Sequence, residues 1–480
     1  MNAQLTPQLT QDVVGEVLRR LGNRAAPASS QPTSIPNTTS GRFGVHSSVN
    51  DAVAASVEAQ NKLLRLTLSD RDAIIRIFKD TSFARATEWG RLELEETKIG
   101  RLDHKIEKLT MLRGIPGIEF LRTDAFSGSN GIGLDEFAPF GVIGAITPVT
   151  HSIPTLTANA ISMIASGNSV VFNAHPGGVN CAAVAVTEYN RQIAEKFGIE
   201  HLLGLIVPST LESAEQLFAH RDVSLLVVTG GPAVARAALA ARTRAIVAGP
   251  GNPPVVVDET ACLQNAARCI VRGAAYDNNL LCIGEKQVFV VESVFDALVE
   301  QFKKNKAHML TPVQVDALTK AALPIDPKDG KPHAAKGFIG KDPRTLAAAA
   351  NAMIAADVEL LIGETDASHP FVQVEQMMPF VPLVRCKNVS EAIDRAIESE
   401  HGYRHTAIIH SRNLDTITTF ARRAGTTIFV ANGPSVAGLG NGGEGYGSFS
   451  IATPTGEGIT TPLTFTRSRR ITITNSLRTI

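Results

Sequence analysis

Short apolar runs alternate with helical patterns over residues 140–241, and this alternation limits the possible folds more than any other feature. The predicted strands are 141–146, 169–173, 203–207 and 224–229; the predicted helices are 154–166, 180–197, 209–220 and 233–241. Almost uniformly apolar strands separated by helices are typical of a parallel sheet covered on both faces. A similar alternation over residues 255–410 predicts a second α/β segment. In such sheets, ligands bind at the carboxyl ends of the strands.

Composition excludes several classes of protein. The 480 residues suffice for two or three domains with ample cores. The 46 basic and 46 acidic side chains give no reason to expect a nucleic acid or an anionic membrane as partner. No apolar run approaches the roughly 18 residues that span a bilayer. Five scattered cysteines without metal-ligand spacing predict reduced thiols and no metal site, as in a soluble intracellular enzyme.

The first 41 residues differ from the rest of the chain. Residues 6–22 predict an amphipathic helix, which Thr6 and Pro7 can start and Gly22 can end. Residues 23–41 are rich in Ala, Pro, Ser, Thr and Asn and predict a flexible linker. A tethered helix with an apolar stripe favours docking on another protein, with folding back on its own domain as the alternative.

Other segments predict helices, an arm and a loop. Residues 49–58 and 69–97 predict helices, and the glycines over 122–138 predict a hairpin or arm. The Gly-rich stretch 438–447 predicts either a mobile loop over a site or an exposed connection.

Cys282 is the candidate nucleophile. It follows Asp-Asn-Asn at 277–279, which favours a turn, and precedes Gly284 and Lys286. This context indicates a polar, electropositive environment in which a thiolate is stabilised and accessible, although a free cysteine is often just part of a core. The other cysteines are assigned to packing, with 181, 262 and 269 on predicted helices and 386 at a strand end.

Two loops after predicted strands are candidate ligand sites. Thr229, Gly230 and Gly231 lead into a predicted helix, where backbone N–H groups could approach a phosphate. An ordinary turn explains the same residues, and the G-x-G-x-x-G motif is absent. The second loop contains His175, which either meets a ligand or is structural.

These residues belong to a set of segments that resembles the aldehyde dehydrogenase superfamily. The resemblance is greatest to its CoA-acylating branch, the propionaldehyde and acetaldehyde dehydrogenases of bacterial microcompartments. It extends from about residue 43 to 470. The matching segments lie at 146–148, 159–163, 175–176, 229–232, 251–254, 277–286, 369–372, 375–379 and 455–460.

The resemblance implies an aldehyde dehydrogenase-like α/β fold, with a Rossmann-like NAD domain, an α/β catalytic domain and an oligomerisation arm. We expect an encapsulation helix at 1–22, a linker at 23–41, the NAD domain at 42–258 with its hairpin near 122–138, the catalytic domain at 259–445 and a C-terminal oligomerisation segment at 446–480. It also implies a homodimer or homotetramer, docked on a shell protein through residues 6–22, in a microcompartment of the bacterial cytoplasm.

The resemblance implies a reaction as well. Cys282 would attack the aldehyde, NAD+ would take the hydride, and CoA would receive the acyl group from the resulting thioester. Whether CoA and NAD share one nucleotide site is left open. The implied cofactor-binding residues are Asn173, His175, Pro176, Thr229, Gly230, Gly231 and the ribose-binding Glu375. His369 is an acid/base candidate for CoA or the aldehyde, with a simple loop residue as the alternative.

Three positions depart from the family pattern. Residues 248–251 lack the glutamate that activates water in hydrolytic relatives, and losing such a base slows hydrolysis about 10²–10⁴-fold. Asn173 stands where the family has a ribose-binding lysine, which favours NAD over NADP. His151 stands where an asparagine usually donates to the oxyanion, so either its imidazole N–H donates instead or that donor is lost.

The leading hypothesis is therefore an NAD-dependent, CoA-acylating dehydrogenase of a short aliphatic aldehyde. Family resemblance alone favours propionaldehyde. The alternatives are a hydrolytic aldehyde dehydrogenase, which the missing glutamate disfavours, and an inactive microcompartment scaffold protein, which the Cys282 loop disfavours.

Overall fold

The computed structural model describes residues 42–477, so the predicted helix at 6–22 and the linker at 23–41 lie outside the described residues. The chain divides into two compact units. The first contains the described residues up to Arg85, then Ile115–Gly249 and the described residues from Ser448 onward. The second contains Ala86–Gly114 and Pro250–Gly447. Within 42–477, no helix has the length and apolar character needed to cross a membrane.

The strands and helices are numbered along the chain. The strands are β1 (Val45–His46), β2 (Asp124–Gly128), β3 (Gly131–Pro139), β4 (Val142–Thr147), β5 (Ser169–Ala174), β6 (Leu203–Ile206), β7 (Val223–Thr229), β8 (Ala245–Ala248), β9 (Pro254–Val257), β10 (Gln287–Val291), β11 (Ala307–Met309), β12 (Leu360–Thr365), β13 (Phe380–Cys386), β14 (Thr406–His410), β15 (Ile428–Ala431), β16 (Ile451–Ala452), β17 (Gly458–Ile459) and β18 (Thr466–Thr474). The helices are α1 (Val49–Leu63), α2 (Leu68–Ala84), α3 (Ala86–Thr97), α4 (Leu102–Met111), α5 (Ser152–Ala165), α6 (Val179–Phe197), α7 (Leu211–Ala219), α8 (Pro232–Leu239), α9 (Leu263–Ala274), α10 (Glu292–Lys304), α11 (Pro312–Ala322), α12 (Pro343–Ala349), α13 (Pro370–Gln373), α14 (Val389–Ser399) and α15 (Leu414–Ala424).

The first unit contains a six-stranded parallel sheet in the order β1-β6-β5-β4-β7-β8. Strands β4 and β5 are buried at every residue, as their mostly apolar sequences predict. The chain order reverses between β4 and β7, which creates a topological switch point. The α/β pattern predicted over 141–241 is confirmed.

Local sequence signals explain where several helices begin and end. Thr67 starts α2 in a capping box with Asp70, and Gly198 ends α6 in the left-handed conformation. The prediction of one helix over 69–97 is wrong, because Arg85 leaves the helical conformation and separates α2 from α3.

The predicted hairpin at 122–138 is confirmed by β2 and β3. It belongs to a three-stranded antiparallel sheet, in which β18 pairs along the whole of β3. Most residues of β2 and β18 are exposed, including Phe126 and Ile473. We define this β18-β3-β2 sheet as the arm.

The second unit contains a seven-stranded parallel sheet in the order β11-β12-β13-β10-β9-β14-β15. Helices cover its core, which contains Phe289, Phe371 and Phe380. The assignment of the other cysteines to packing holds for Cys181, Cys269 and Cys386, which are buried. It is wrong for Cys262, which lies just before α9 and is partly exposed.

Candidate active site

In the second unit, the segments that precede four neighbouring strands meet at the amino edge of the sheet. The strands are adjacent in the order β13-β10-β9-β14. Glu375, Cys282, Gly251 and His405 lie shortly before them, in that order. The residues of this candidate site thus come from the connections that enter the strands, at the edge opposite to the carboxyl ends.

The turn before Cys282 has an unusual backbone. Asp277, Asn278 and Asn279 adopt φ values of 49°, 57° and 64°, and all three are buried. The left-handed region costs most residues about 1–2 kcal/mol, and Asn and Asp tolerate it best because they hydrogen-bond locally. Here the amide of Asn279 donates to the carbonyls of Ala274 (2.8 Å) and Glu285 (2.9 Å), so the turn is held from within.

Lys286 fixes the inner side of this turn. Its fully buried ammonium donates to the carbonyls of Asn279 (2.9 Å) and Leu281 (3.2 Å) and to the side-chain oxygen of Asn279. Burial lowers the pKa of Lys286 to about 8, against the opposing effects of Glu375, Cys282 and Glu285. Lys286 therefore supplies both hydrogen bonds to the turn and, when protonated, a positive charge near the thiol.

The Cys282 thiol is not held as a thiolate. Burial, followed by the charge of Glu375, raises the pKa of Cys282 to about 12. Lys286 and the backbone N–H groups of Cys282 and Ile283 oppose this rise. The residue nevertheless keeps some solvent exposure. Lys286 supplies the predicted positive charge, but burial and Glu375 raise the pKa of the thiol more than Lys286 lowers it.

Glu375 is the carboxylate of this cluster. Its pKa is raised by burial, while Lys286 and the N–H of Gly251 stabilise its charge. A Cβ at position 251 would lie 2.7 Å from the carbonyl oxygen of Cys282 and 2.9 Å from Cγ of His405. Glycine is therefore required there, and Gly251, Cys282 and His405 are in close proximity.

His405 is a candidate that sequence reasoning missed. Burial and then Lys286 lower the pKa of this histidine to about 4, so the imidazole is neutral at pH 7. Its Nδ1 lies 2.9 Å from the Thr406 hydroxyl, while Nε2 has no hydrogen-bond partner within residues 42–477. In the tautomer whose Nδ1–H donates to Thr406, Nε2 keeps a lone pair that can accept a proton. The only signal in the sequence was a histidine directly before a buried strand.

A second missed residue, Glu285, anchors the Cys282 loop. Its buried carboxylate accepts hydrogen bonds from the N–H (2.8 Å) and hydroxyl (2.7 Å) of Ser435. Burial raises the pKa of Glu285 to about 7. A Cβ at Gly273 would lie 2.0 Å from this carboxylate, so only glycine leaves room for it.

In the first unit, the predicted nucleotide-binding residues follow the strands around the switch point. Thr229 ends β7, and Gly231 caps α8 without a side-chain hydrogen bond. A Cβ at Gly231 would meet no heavy atom within 4 Å, so the backbone there is open to a ligand. His151 ends the connection from β4 and caps α5; it is buried and lies 6.1 Å from the Phe449 ring.

Hydrogen bonds within the first unit hold the end of β5 and the turn that follows it. Asn173 is buried, donates to the carbonyl of Thr210 (3.2 Å) and accepts from the hydroxyls of Ser209 (2.8 Å) and Ser213 (2.9 Å). His175 is exposed, and its Nδ1 accepts the N–H of Gly177 (3.0 Å) in the turn that begins at Pro176. Structural hydrogen bonds thus account for the polar groups of Asn173, and cofactor contacts by these residues stay a prediction.

His369 lies in a different part of the second unit from Cys282. It lines a cleft of about 540 Å³ at the carboxyl ends of β12 and β13, with residues that include Asp316, Asp366 and Arg385. Burial lowers the pKa of His369, while Asp366 and Asp316 oppose the shift. Its Nε2 lies 3.4 Å from the Thr319 hydroxyl, and its Nδ1 accepts the N–H of Phe371. His369 therefore lies at the carboxyl edge of this sheet, and neither Cys282 nor Glu375 is among its described partners.

Known proteins provide an independent comparison. The family model described as "Aldehyde dehydrogenase family" matches residues 31–321. An acetylating acetaldehyde dehydrogenase of Salmonella typhimurium is 41% identical over 478 residues, which are 99% of this chain and 100% of that protein.

The chain belongs to the aldehyde dehydrogenase family.

Two solved structures of this family are similar throughout. Rhodopseudomonas palustris propionaldehyde dehydrogenase, with bound CoA and an acylated cysteine, has a TM-score of 0.87 and 41% identity, covering 90% of this chain and 98% of that one. A propionaldehyde dehydrogenase from the fucose utilisation bacterial microcompartment of Clostridium phytofermentans has a TM-score of 0.87 and 39% identity, covering 90% and 99%. The α/β fold implied by the resemblance is confirmed.

Proposed function

We propose that this protein is an NAD-dependent, CoA-acylating aldehyde dehydrogenase that converts a short aliphatic aldehyde, with propionaldehyde favoured, to its acyl-CoA. The observation that carries the proposal is Cys282, a partly exposed cysteine in a rigid turn with Lys286, Glu375 and His405 nearby. Relatives named as acetylating and as propionaldehyde dehydrogenases, one with CoA and an acylated cysteine, support the same chemistry.

Cys282 begins the reaction by giving up its thiol proton. We assign the acceptance of this proton to Nε2 of His405, which has no hydrogen-bond partner within residues 42–477, and the thiolate then attacks the aldehyde carbon to form a thiohemiacetal. The N–H of His151 would donate to the oxyanion. NAD+, when bound, accepts the hydride, which leaves an acyl thioester on Cys282. The thiol of CoA then attacks the thioester carbon, and Cys282 leaves as a thiolate.

The open backbone at Gly230 and Gly231, beside the switch point, fits a dinucleotide, and Glu375 would bind its ribose. The first unit would then be the NAD-binding part and the second the catalytic part. The predicted boundaries at 258 and 445 stay predictions.

The alternative function is hydrolysis of the thioester. Its candidate base is Glu375, a carboxylate close enough to Cys282 to raise the pKa of the thiol. Two features oppose this role: its charge is stabilised by Lys286, and it accepts the N–H of Gly251. Residues 248–251, where hydrolytic relatives carry the glutamate that activates water, contain no carboxylate. We therefore favour transfer to CoA.

The association of relatives with a microcompartment extends the proposal. Residues 6–22 would dock on a shell protein and place the enzyme inside a microcompartment of the bacterial cytoplasm. The exposed arm would join copies of the chain into a homodimer or homotetramer.

NADH formation from propionaldehyde, with and without CoA, tests the proposal for the wild type and Cys282→Ala. We expect turnover that requires CoA and disappears in the variant. Turnover without CoA, with propionate as product, would instead support hydrolysis. NAD binding without turnover of propionaldehyde, acetaldehyde or other short aldehydes would support the scaffold.

A further inference from the structure

Helix α4 reaches the turn that precedes Cys282 and contacts both the side chain and the backbone of Asp277. Nζ of Lys108 lies 2.5 Å from one carboxylate oxygen of Asp277, and the N–H of Arg101 donates to the other at 2.7 Å. The N–H of Asp277 donates to Nδ1 of His104 at 2.9 Å. Helix α4 and its N-cap residue Arg101 therefore hold Asp277 through three contacts.

This contact is fully enclosed by protein. The side chains of Lys108 and Asp277 are 1% and 0% exposed. Gly100 packs so closely that a Cβ there would lie 2.2 Å from the Asp277 carboxylate, which leaves that side chain no space to move. Burial alone would raise the pKa of Asp277, but the charges of Lys108 and Lys105 hold this pKa below its usual range. Asp277 is thus a fixed anion.

The same helix carries a second buried ion pair. Nζ of Lys105 lies 2.9 Å from Glu93 on α3, and both side chains are 1% exposed. Lys105 acts on Asp277 through its charge, but the carboxylate that pairs with its ammonium is that of Glu93. Lys105 and Lys108 thus lie on the same helix and are equally buried. The ion-pair partner of Lys108 belongs to the turn before Cys282, whereas that of Lys105 does not.

We propose that Lys108 is a positioning residue for Cys282, acting through Asp277 and the left-handed turn. Asp277 is the first of three consecutive left-handed residues. The last of them is Asn279, whose backbone carbonyl accepts a hydrogen bond from the ammonium of Lys286. Without Lys108 the turn loses its outer support, and Lys286 loses its fixed place near the thiol. Only the turnover arm of the test below depends on the proposed function.

The test measures how fast iodoacetamide alkylates Cys282 as a function of pH, with the modified peptide quantified by mass spectrometry. Lys108→Met should shift the pH profile upward and slow alkylation at pH 8 about tenfold, the effect of a pKa rise of one unit. Lys108→Arg should restore most of the rate, because the charge remains. Lys105→Met should slow alkylation less than Lys108→Met does, because the ion pair of Lys105 is with Glu93 and not with Asp277. In turnover, Lys108→Met should lower kcat with little change in KM.

Equal slowing in Lys105→Met and Lys108→Met, or an unchanged profile in Lys108→Met, would overturn the proposal. If Lys108→Met does not fold, the same measurement is made on the double variant Lys108→Met with Asp277→Asn. This variant removes both charges of the buried pair, so neither is left unpaired. That double variant should also alkylate slowly, and a wild-type rate in it would again overturn the proposal. A wild type that forms no acyl-CoA would refute the proposed function, while the alkylation difference would still test Lys108.

Discussion

The two parallel sheets of this protein present their candidate sites at opposite edges. In the first unit, the candidate residues follow the carboxyl ends of β4, β5 and β7, and the phosphate-binding candidates are glycines with open space around them. In the second unit, they precede the amino ends of β9, β10, β13 and β14 and are mostly buried. The first edge offers backbone N–H groups, and the second offers fixed side chains.

This difference reflects two kinds of task. A pyrophosphate is held by backbone N–H groups, which need small residues so that the ligand can approach. A nucleophile needs its protonation and orientation controlled, which requires groups such as Lys286 and Glu375 to be fixed in a partly desolvated site. Substitutions at the amino edge of the second sheet should therefore reduce chemistry, whereas those at the glycine loop should reduce binding.

The largest loss of activity that tests this comparison is expected on substitution of His405. His410 provides the matched control. These histidines lie at opposite ends of β14; both are buried, and burial lowers the pKa of each to about 4. His405→Asn should lower kcat by about 10²–10⁴-fold, the usual value of a general base. His410→Asn should keep most of the activity, because His410 lies at the carboxyl end of β14, whereas Cys282 precedes the amino end of β10.

Steady-state kinetics with propionaldehyde, together with thermal unfolding of both variants, provide the measurement. Because each variant buries an amide in place of an imidazole, similar losses of thermal stability are expected. Equal losses of kcat in the two variants would show that His405 acts through stability alone.

The next largest effect is expected at His151. His151→Ala should lower the rate of the first NADH burst by about 10²–10³-fold, as the loss of one oxyanion donor does. His151→Asn should recover much of this rate, because the amide supplies an N–H donor. A burst rate in His151→Ala equal to that of the wild type would remove this residue from the mechanism.

A smaller effect is expected at the glycine loop. Gly231→Val should raise the KM for NAD about tenfold, equivalent to about 1.4 kcal/mol of binding, because its methyl groups would occupy the ligand's space. Gly337→Val is the matched control, since a Cβ at either glycine meets no atom within 4 Å. Stability should therefore be unchanged in both variants. An unaltered KM for NAD in Gly231→Val would contradict nucleotide binding at this loop.

Sequence patterns predicted much of the first unit because its information is local. Strands such as β4 are uniformly apolar, and the hairpin carries its glycines at the turn, so each is visible within a few residues. The pairing of β18 with β3 joins residues more than 300 positions apart, and no local pattern in the Thr-rich, basic tail indicated it.

The cluster around Cys282 was predictable only in part. The Asp-Asn-Asn turn and Lys286 stand beside Cys282 in the sequence, and both were singled out. His405 and Lys108 reach the cluster or its turn from distant segments through the fold, and neither has a distinctive local pattern. Local sequence does not predict the protonation of the thiol, because the pKa of Cys282 depends on burial and on Glu375, which lies 93 residues further along the chain.

The smallest effect is expected at His369, which family resemblance made an acid/base candidate. Its cleft lies at the carboxyl ends of β12 and β13, the edge opposite to Cys282, and three carboxylates line it: Asp316, Glu364 and Asp366. None of its described partners belongs to the Cys282 cluster. His369→Ala should therefore change kcat and the KM for CoA by less than about threefold, which is below 1 kcal/mol. Steady-state kinetics with CoA as the varied substrate measure both. A loss of kcat comparable to that of His405→Asn would show that this cleft affects the reaction at the thioester. Residues at both edges of the second sheet would then contribute to catalysis.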